Sequence, residues 1–230
     1  MRIGIIGAMD EEIALYKEGM DLVRETRKAG ITYYEGRWED KEVVLCKCGV
    51  GKVNASVCTQ ILVDAFQVGA VIFTGVAGAL HPELEIGDIV VAMDCQHHDM
   101  DVTALGFPRG VIPFTDVSIF RADQELIDAA VKASEQVAEG RTMTGRILSG
   151  DQFIASRDKV RELHETMAGM CTEMEGAAVA QVCVMNEIPF VVIRSMSDKA
   201  DGSAHVNFPE FTKLASQRSY EIVKNMLAHL

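Results

Sequence analysis

The stretch Arg2-Ile3-Gly4-Ile5-Ile6-Gly7-Ala8-Met9-Asp10-Glu11-Glu12 decides the fold class. Its first half is short, apolar and rich in isoleucine, as a buried strand requires. Its second half sets acidic side chains where a helix N-terminus favours negative charge. A strand running straight into a helix is the opening unit of an α/β domain. An export signal needs an apolar region of about 7–15 residues and a cleavage site. Here the run stops at Asp10, so no signal is expected. Gly4 and Gly7 miss the G-x-G-x-x-G spacing of a dinucleotide fingerprint.

Outward from this unit the α/β pattern continues. Ile31 to Trp38 and Glu42 to Cys48 read as paired strands around Glu39-Asp40-Lys41. Lys52 to Phe66 is expected to be a helix that covers the sheet with Val53, Val57, Ile61, Leu62 and Ala65. Ala70 to Val76 and Asp88 to Met93 are nearly continuous apolar runs, the mark of strands buried on both faces. Arg146 to Ser149 and Pro189 to Ser195 read as further strands. Ala122 to Val137, Ser156 to His164, Glu175 to Asn186 and Phe208 to Leu227 read as helices. No repeat or linker interrupts them. The expected architecture is a single domain over residues 1–230, a three-layer α/β/α sandwich around a mixed, twisted sheet. Cys95 to Ser118 lacks clear period, and long loops of this kind usually serve function or an interface.

Hydrophobic residues make up 48% of the chain and charged residues 24%, which suits a globular core. The net charge of −12 disfavours nucleic-acid backbones and anionic membrane surfaces as partners. No apolar stretch approaches the roughly 20 residues of a membrane span. The six cysteines sit mostly apart in apolar surroundings and read as reduced, buried small hydrophobes, which points to the cytoplasm.

Most chemical motifs dissolve on inspection. Gly49-Val50-Gly51-Lys52 resembles the end of a P-loop, yet Cys46 replaces the first glycine and Val53 the magnesium-binding hydroxyl. The glycines are better suited to a tight turn beside a ligand. His97-His98-Asp99-Met100-Asp101 crowds possible metal ligands together, but neighbouring side chains of an extended segment point to opposite faces, so no metal is expected. Three carboxylates remain where strands end, the position at which open α/β sheets bind ligands: Glu12, Glu175 and Asp198. Each also has a purely structural reading. Glu12 and Glu175 suit helix N-termini, and Asp198 suits the cap of a turn.

Eight segments in register resemble one family across the whole chain. They are Gly4 to Glu12, Gly49 to Asn54, Thr74-Gly75-Val76-Ala77-Gly78, Gly87 to Val90, His98 to Ala104, Ser149-Gly150-Asp151-Gln152-Phe153, Glu173-Met174-Glu175-Gly176-Ala177 and Arg194-Ser195-Met196-Ser197-Asp198. The family is that of the 5′-methylthioadenosine/S-adenosylhomocysteine nucleosidases. The resemblance implies a nucleoside phosphorylase type of α/β fold, a homodimer, no cofactor, and hydrolysis of the bond between adenine and a 5′-thio-substituted ribose. That reaction serves methionine salvage and S-adenosylmethionine recycling, and 5′-deoxyadenosine is a further expected substrate.

Carried onto this chain, the resemblance makes Asp198 the proton donor to adenine N7, Glu12 the activator of water and Glu175 the holder of the ribose hydroxyls. Met174 packs under the sugar, with Arg194 near its hydroxyls. Phe153 stacks on adenine, the backbone of Ile154 and the side chain of Ser197 fix its edge and orient Asp198, and Phe208 closes the site. Ala8, Met9, Val50, Val76 and Glu173 complete the substrate-binding wall. Val102, Leu105, Phe107 and Pro113 are expected to form the 5′-thio pocket, partly across the dimer interface.

The chemistry suits these residue types. Adenine leaves poorly as an anion, so an acid kept protonated near neutral pH is needed. The ribose becomes oxocarbenium-like, and fixed carboxylates stabilise that positive charge. Where related phosphorylases resemble R-x-G-S-x-G, this chain reads Phe73-Thr74-Gly75-Val76-Ala77-Gly78, without the phosphate-binding Arg and Ser. Water, and not phosphate, is therefore the expected nucleophile, against the alternative of a purine nucleoside phosphorylase. Val76, Gln152 and Glu175-Gly176 also resemble the branch that cleaves 6-amino-6-deoxyfutalosine in menaquinone synthesis. A non-catalytic nucleoside-binding protein on the same fold would be favoured by loss of a carboxylate, and all three are present.

Overall fold

Short apolar strands that cannot satisfy their backbone alone assemble into one mixed sheet. The computed structural model describes residues 1–137, 140–200 and 208–230, and for 208–210 and 212 the backbone alone. The strands are β1 (Arg2–Gly7), β2 (Asp21–Lys28), β3 (Ile31–Trp38), β4 (Lys41–Lys47), β5 (Ala70–Ala79), β6 (Ile89–His97), β7 (Phe120–Arg121), β8 (Thr142–Ser149), β9 (Gly169–Glu173) and β10 (Phe190–Asp198). The helices are α1 (Asp10–Gly19), α2 (Lys52–Phe66), α3 (Gln124–Val137), α4 (Arg157–Met167), α5 (Gly176–Met185) and α6 (Phe208–Leu227).

The strand order is β10-β6-β8-β9-β5-β1-β4-β3-β2, with β7 added on β6. β1 lies parallel between β4 and β5, while β2 and β3 form an antiparallel extension. β10 also pairs with β5, so β5, β9, β8, β6 and β10 curl into a closed ring. Closure removes the edges that β5 and β10 would otherwise expose.

Helices cover both faces, as the three-layer expectation requires. α2 and α5 pack on one face through Ala55, Cys58, Leu62, Phe66, Ala177, Ala180 and Cys183. α1, α3 and α6 pack on the other through Ile13, Tyr16, Leu126, Ala130, Ile222, Val223 and Met226. α4 closes a smaller cluster with Leu80, Leu148 and Ile154. Tyr16, Trp38 and Tyr220 meet edge to face and anchor α6 to α1 and β3.

Several details differ from expectation. In α2 the sheet-facing residues are Ala55, Cys58, Leu62 and Phe66, whereas Val53, Val57 and Ala65 point outward. The helix carries two apolar stripes, and the smaller one fits closer to the sheet. β2 carries no strand signal in the sequence, because it is an exposed, charged edge strand that buries no alternating face. β8 begins at Thr142, where half-exposed polar residues hide its period. β6 continues to His97, which shortens the long loop.

Candidate active site

Glu12, Glu175 and Asp198 come together at one cavity of about 290 Å³, near the lower size for a small-ligand site. It opens where β1, β5, β9 and β10 end. Ala8, Met9, Val50, Val76, Phe153, Ile154, Glu173, Met174 and Ser197 also line it, together with Ala77, Gly78, Gln152 and Thr172. Its walls are mostly apolar with several carboxylates, and no lysine or arginine lines it among the described residues.

Glu12 sits in the first turn of α1 and is 5% exposed. Its Oε2 accepts the N–H groups of Ala8 at 2.6 Å and Met9 at 2.9 Å, reaching back over its own helix start. Its Oε1 accepts the Val76 N–H at 3.0 Å, tying α1 to β5. Gly75 is the neighbour that allows this, because a Cβ there would collide with the Glu12 carboxylate. Burial raises the pKa of Glu12 above its usual range, opposed by the Arg194 charge and the three backbone donors.

Glu175 begins α5 without capping it by its side chain. Its Oε1 instead accepts the Gly51 N–H at 2.7 Å, across to the start of α2. Gly51 turns there with φ of 97°, a left-handed conformation that glycine adopts without strain. Burial, and then the neighbouring Glu173 charge, push the Glu175 pKa up, while the Gly51 bond and Arg194 act the other way.

The capping expected of Glu175 falls to Glu173. Its carboxylate accepts the N–H groups of Glu175 and Gly176, and Ser149 Oγ donates to it. Ser149 Oγ in turn accepts the Ala177 N–H at 2.7 Å. Arg194 Nη2 pairs with Glu173 Oε2 at 2.7 Å, with both side chains almost fully buried. Arg194 stacks on Phe73 at 3.9 Å and does not line the cavity. It lies behind the acidic wall, balancing Glu173 and Glu12 through the protein interior.

Asp198 ends β10 and is 4% exposed. Its Oδ1 accepts the Ala200 N–H at 2.7 Å, and Ser197 Oγ donates to Oδ2 at 3.0 Å. The turn-capping reading and the site placement hold together in one side chain. Phe153 stands at the mouth, 55% exposed. The Phe208 side chain lies outside the described residues, although its backbone begins α6.

The remaining expected residues lie elsewhere in the single chain. Val102, Leu105, Phe107 and Pro113 do not line the cavity, and Leu105 is 69% exposed. The His97 to Asp101 run disperses. His97 Nε2 meets Gln181 Oε1, Asp99 binds Lys52 Nζ and the Asp151 N–H, and Asp101 accepts from Thr103. Thr172 lines the cavity and Ser149 supports its wall through Glu173, two roles that no local sequence signal marks. The motif containing Ser149 was visible, but its contact with Glu173 joins two strands distant in sequence.

Residues 2–228 match the Phosphorylase superfamily. The chain is 39% identical over 231 residues to the 5′-methylthioadenosine/S-adenosylhomocysteine nucleosidase of Tolumonas auensis, covering all of both chains. Among solved structures, the nucleosidase of that name from Colwellia psychrerythraea, in complex with adenine, superposes with a TM-score of 0.95 at 40% identity, covering 100% of this chain and 96% of the other. A futalosine hydrolase of Helicobacter pylori superposes with a TM-score of 0.94 at 34% identity, covering 100% and 98%. Match and superposition run from one end of the chain to the other, through the strand ends that carry Glu12, Glu175 and Asp198, and the chain belongs to the 5′-methylthioadenosine/S-adenosylhomocysteine nucleosidases of the phosphorylase superfamily.

Proposed function

We propose that this protein hydrolyses the N-glycosidic bond of 5′-methylthioadenosine and S-adenosylhomocysteine, and of 5′-deoxyadenosine, releasing adenine. The observation that carries the choice of water over phosphate is the Glu12 carboxylate, held by three backbone N–H groups in a cavity whose described lining bears no cation. A phosphate anion there would meet a fixed negative charge and no arginine, since Arg194 is engaged by Glu173.

Asp198 gives a proton to the leaving base at N7, and Ser197 orients it. Glu12 takes a proton from the attacking water. Glu175 holds the ribose hydroxyls and, with Glu12, faces the developing oxocarbenium charge. Met9 and Met174 pack on the sugar, and Phe153 stacks on the base beside Ile154. Positioning the water beside its base recovers up to about 7–11 kcal/mol of barrier at the favourable limit.

Adenine release from methylthioadenosine, measured with and without phosphate, tests the reading. Asp198→Asn and Glu12→Gln are each expected to lower kcat by at least about 100-fold. A strict phosphate requirement, or unchanged turnover in either variant, overturns it. Val76 and Gln152 both line the cavity, which keeps 6-amino-6-deoxyfutalosine as a second substrate. Comparing kcat/KM on the two nucleosides ranks them. We further propose a cytoplasmic homodimer in which Val102, Leu105, Phe107 and Pro113 complete the 5′-thio pocket, partly from the partner. The exposed Val53 and Val57 of α2 and the exposed Leu105 support such a contact.

A further inference from the structure

Helix α2 begins without the residues that usually secure a helix start. Gly51 stands at its N-cap with no side chain to accept a hydrogen bond, and its first turn holds no acid. Lys52 even sets a cation at the end of the helix that disfavours one. Carboxylates from other parts of the chain take over. Glu175 accepts the Gly51 N–H at 2.7 Å, and Asp151 Oδ1, just after β8, accepts the Lys52 N–H at 2.8 Å. Asp99, just after β6, accepts from the Lys52 ammonium with both oxygens at 2.7 Å.

Asp99 also closes a ring. Its Oδ2 accepts the Asp151 N–H at 2.9 Å, so Asp99, Lys52 and Asp151 are each bonded to the other two. The segments after β6 and β8 meet this closely because residue 150 is glycine. A Cβ there would come within 2.5 Å of the His98 ring and 3.0 Å of Asp99 Cγ. Burial works against the Asp99 charge, but the Lys52 hydrogen bond, the Asp151 N–H and the Lys52 charge outweigh it and hold the carboxyl below its ordinary pKa.

None of the three residues lines the cavity, yet the segments they tie together do. Val50 and the Gly51 partner Glu175 stand on one side, and Gln152, Phe153 and Ile154 on the other. The Lys52 and Asp99 side chains are 24% and 14% exposed, and an ion pair that solvent reaches adds little stability. What the ring does supply is a fixed distance between two walls.

We propose, on the nucleosidase reading above, that Asp99 is a positioning residue for the hydrolysis, setting through Lys52 and Asp151 the wall that carries Glu175 against the wall that carries Phe153. Glu175 then holds the ribose and Phe153 the base, on either side of the bond that breaks. Rate depends steeply on such alignment, since a misplacement of about 1 Å can cost about 100-fold. Binding of the base alone draws on one wall and does not depend on their separation.

The test measures kcat and KM for methylthioadenosine, the Kd of adenine and Tm, for the full wild-type chain, Asp99→Ala, Lys52→Met and the double variant. Asp99→Ala is expected to lower kcat about 10- to 100-fold, with KM and the adenine Kd within about 3-fold of wild type. Its Tm is expected to stay within a few degrees. Lys52→Met, which leaves the backbone bonds of the ring in place, is expected to show a smaller loss of the same kind. The double variant is expected to fall no further than Asp99→Ala alone, because one ring is broken in both. Unchanged kcat in Asp99→Ala overturns the proposal, as do losses that multiply in the double variant. A loss of kcat that disappears when the assay is run well below the variant's Tm also overturns it, and marks a structural ion pair. A wild-type chain that releases no adenine from methylthioadenosine removes the nucleosidase reading itself, whereas an active wild type with an unimpaired Asp99→Ala rejects the positioning role alone.

Discussion

Glu12 unites the two readings open to an acidic residue at the start of a helix. One oxygen reaches back over its own helix start and the other holds Val76 across the sheet, so helix termination and site construction share one carboxylate. Its raised pKa has a kinetic consequence. A base must be ionised to work, so kcat/KM is expected to rise with pH along an acid limb displaced above the ordinary carboxylate value of 4.5. A limb at or below 4.5 in the wild-type profile would exclude Glu12 as the base in this environment. Glu175 makes the corresponding statement about stability. Its folded pKa is raised, so its contribution to stability is fully present below the unfolded value and is lost as pH rises through the folded one. Glu175→Gln retains an acceptor for Gly51 and removes the group whose ionisation burial opposes. The variant is expected to melt above wild type at neutral pH, with the difference fading toward pH about 4.5. An equal difference at both pH values would refute the ionisation account. Glu12, Glu175 and Asp198 were legible as candidates because they follow apolar strand-like runs. The division of labour between Glu173 and Glu175 was not, since two carboxylates two positions apart are equivalent until a helix start is placed between them.

The start of α5 shows how an element is secured for the sake of its neighbour. Glu173 and Ser149 occupy its first N–H groups, which leaves Glu175 free to reach Gly51. Arg194 completes the arrangement from behind. Removing one partner of a buried ion pair strands the other charge, so Glu173→Gln is expected to destabilise the protein by about 3–5 kcal/mol in urea unfolding. Glu173→Gln combined with Arg194→Met removes both charges, and much of that loss is expected to return. A purely additive double variant would show that the two do not act as a pair. Periodicity located α2 but chose the wrong face, because Val53-Val57-Ile61 and Ala55-Cys58-Leu62 are both apolar stripes at helical spacing. Side-chain size, which sets how close the helix approaches the sheet, decides between them. The edge strand β2 had no such signal, being charged and exposed along most of its length.

The outward stripe on α2 bears on the whole molecule. Val53 at 74% and Val57 at 39% exposure lie on the face where the proposed homodimer contact is placed. Val57→Glu lies outside the cavity lining and is expected to shift sedimentation toward the monomer. It is also expected to lower kcat/KM more for 5′-thio nucleosides than for 5′-deoxyadenosine, because the proposed pocket for the thio substituent draws on the partner. A fully dimeric, fully active variant would place the interface elsewhere. The curled half of the sheet serves the site in another way. By closing β10 onto β5, it carries Asp198 to within one strand of Gly78.

Local sequence was enough for the class of fold and for the eight segments that identify the family, because strand burial, helix starts and glycine turns are written in runs of a few residues. The long-range placement of those runs was decided by tertiary structure alone. Ring closure by β10, the Arg194–Glu173 pair behind the acidic wall and the Gly51 bond to Glu175 all join residues far apart in the chain. Periodicity reports which face of an element is apolar. It carries no record of which strand lies beside which, and hydrogen bonds and buried charges are settled only when that neighbour is known.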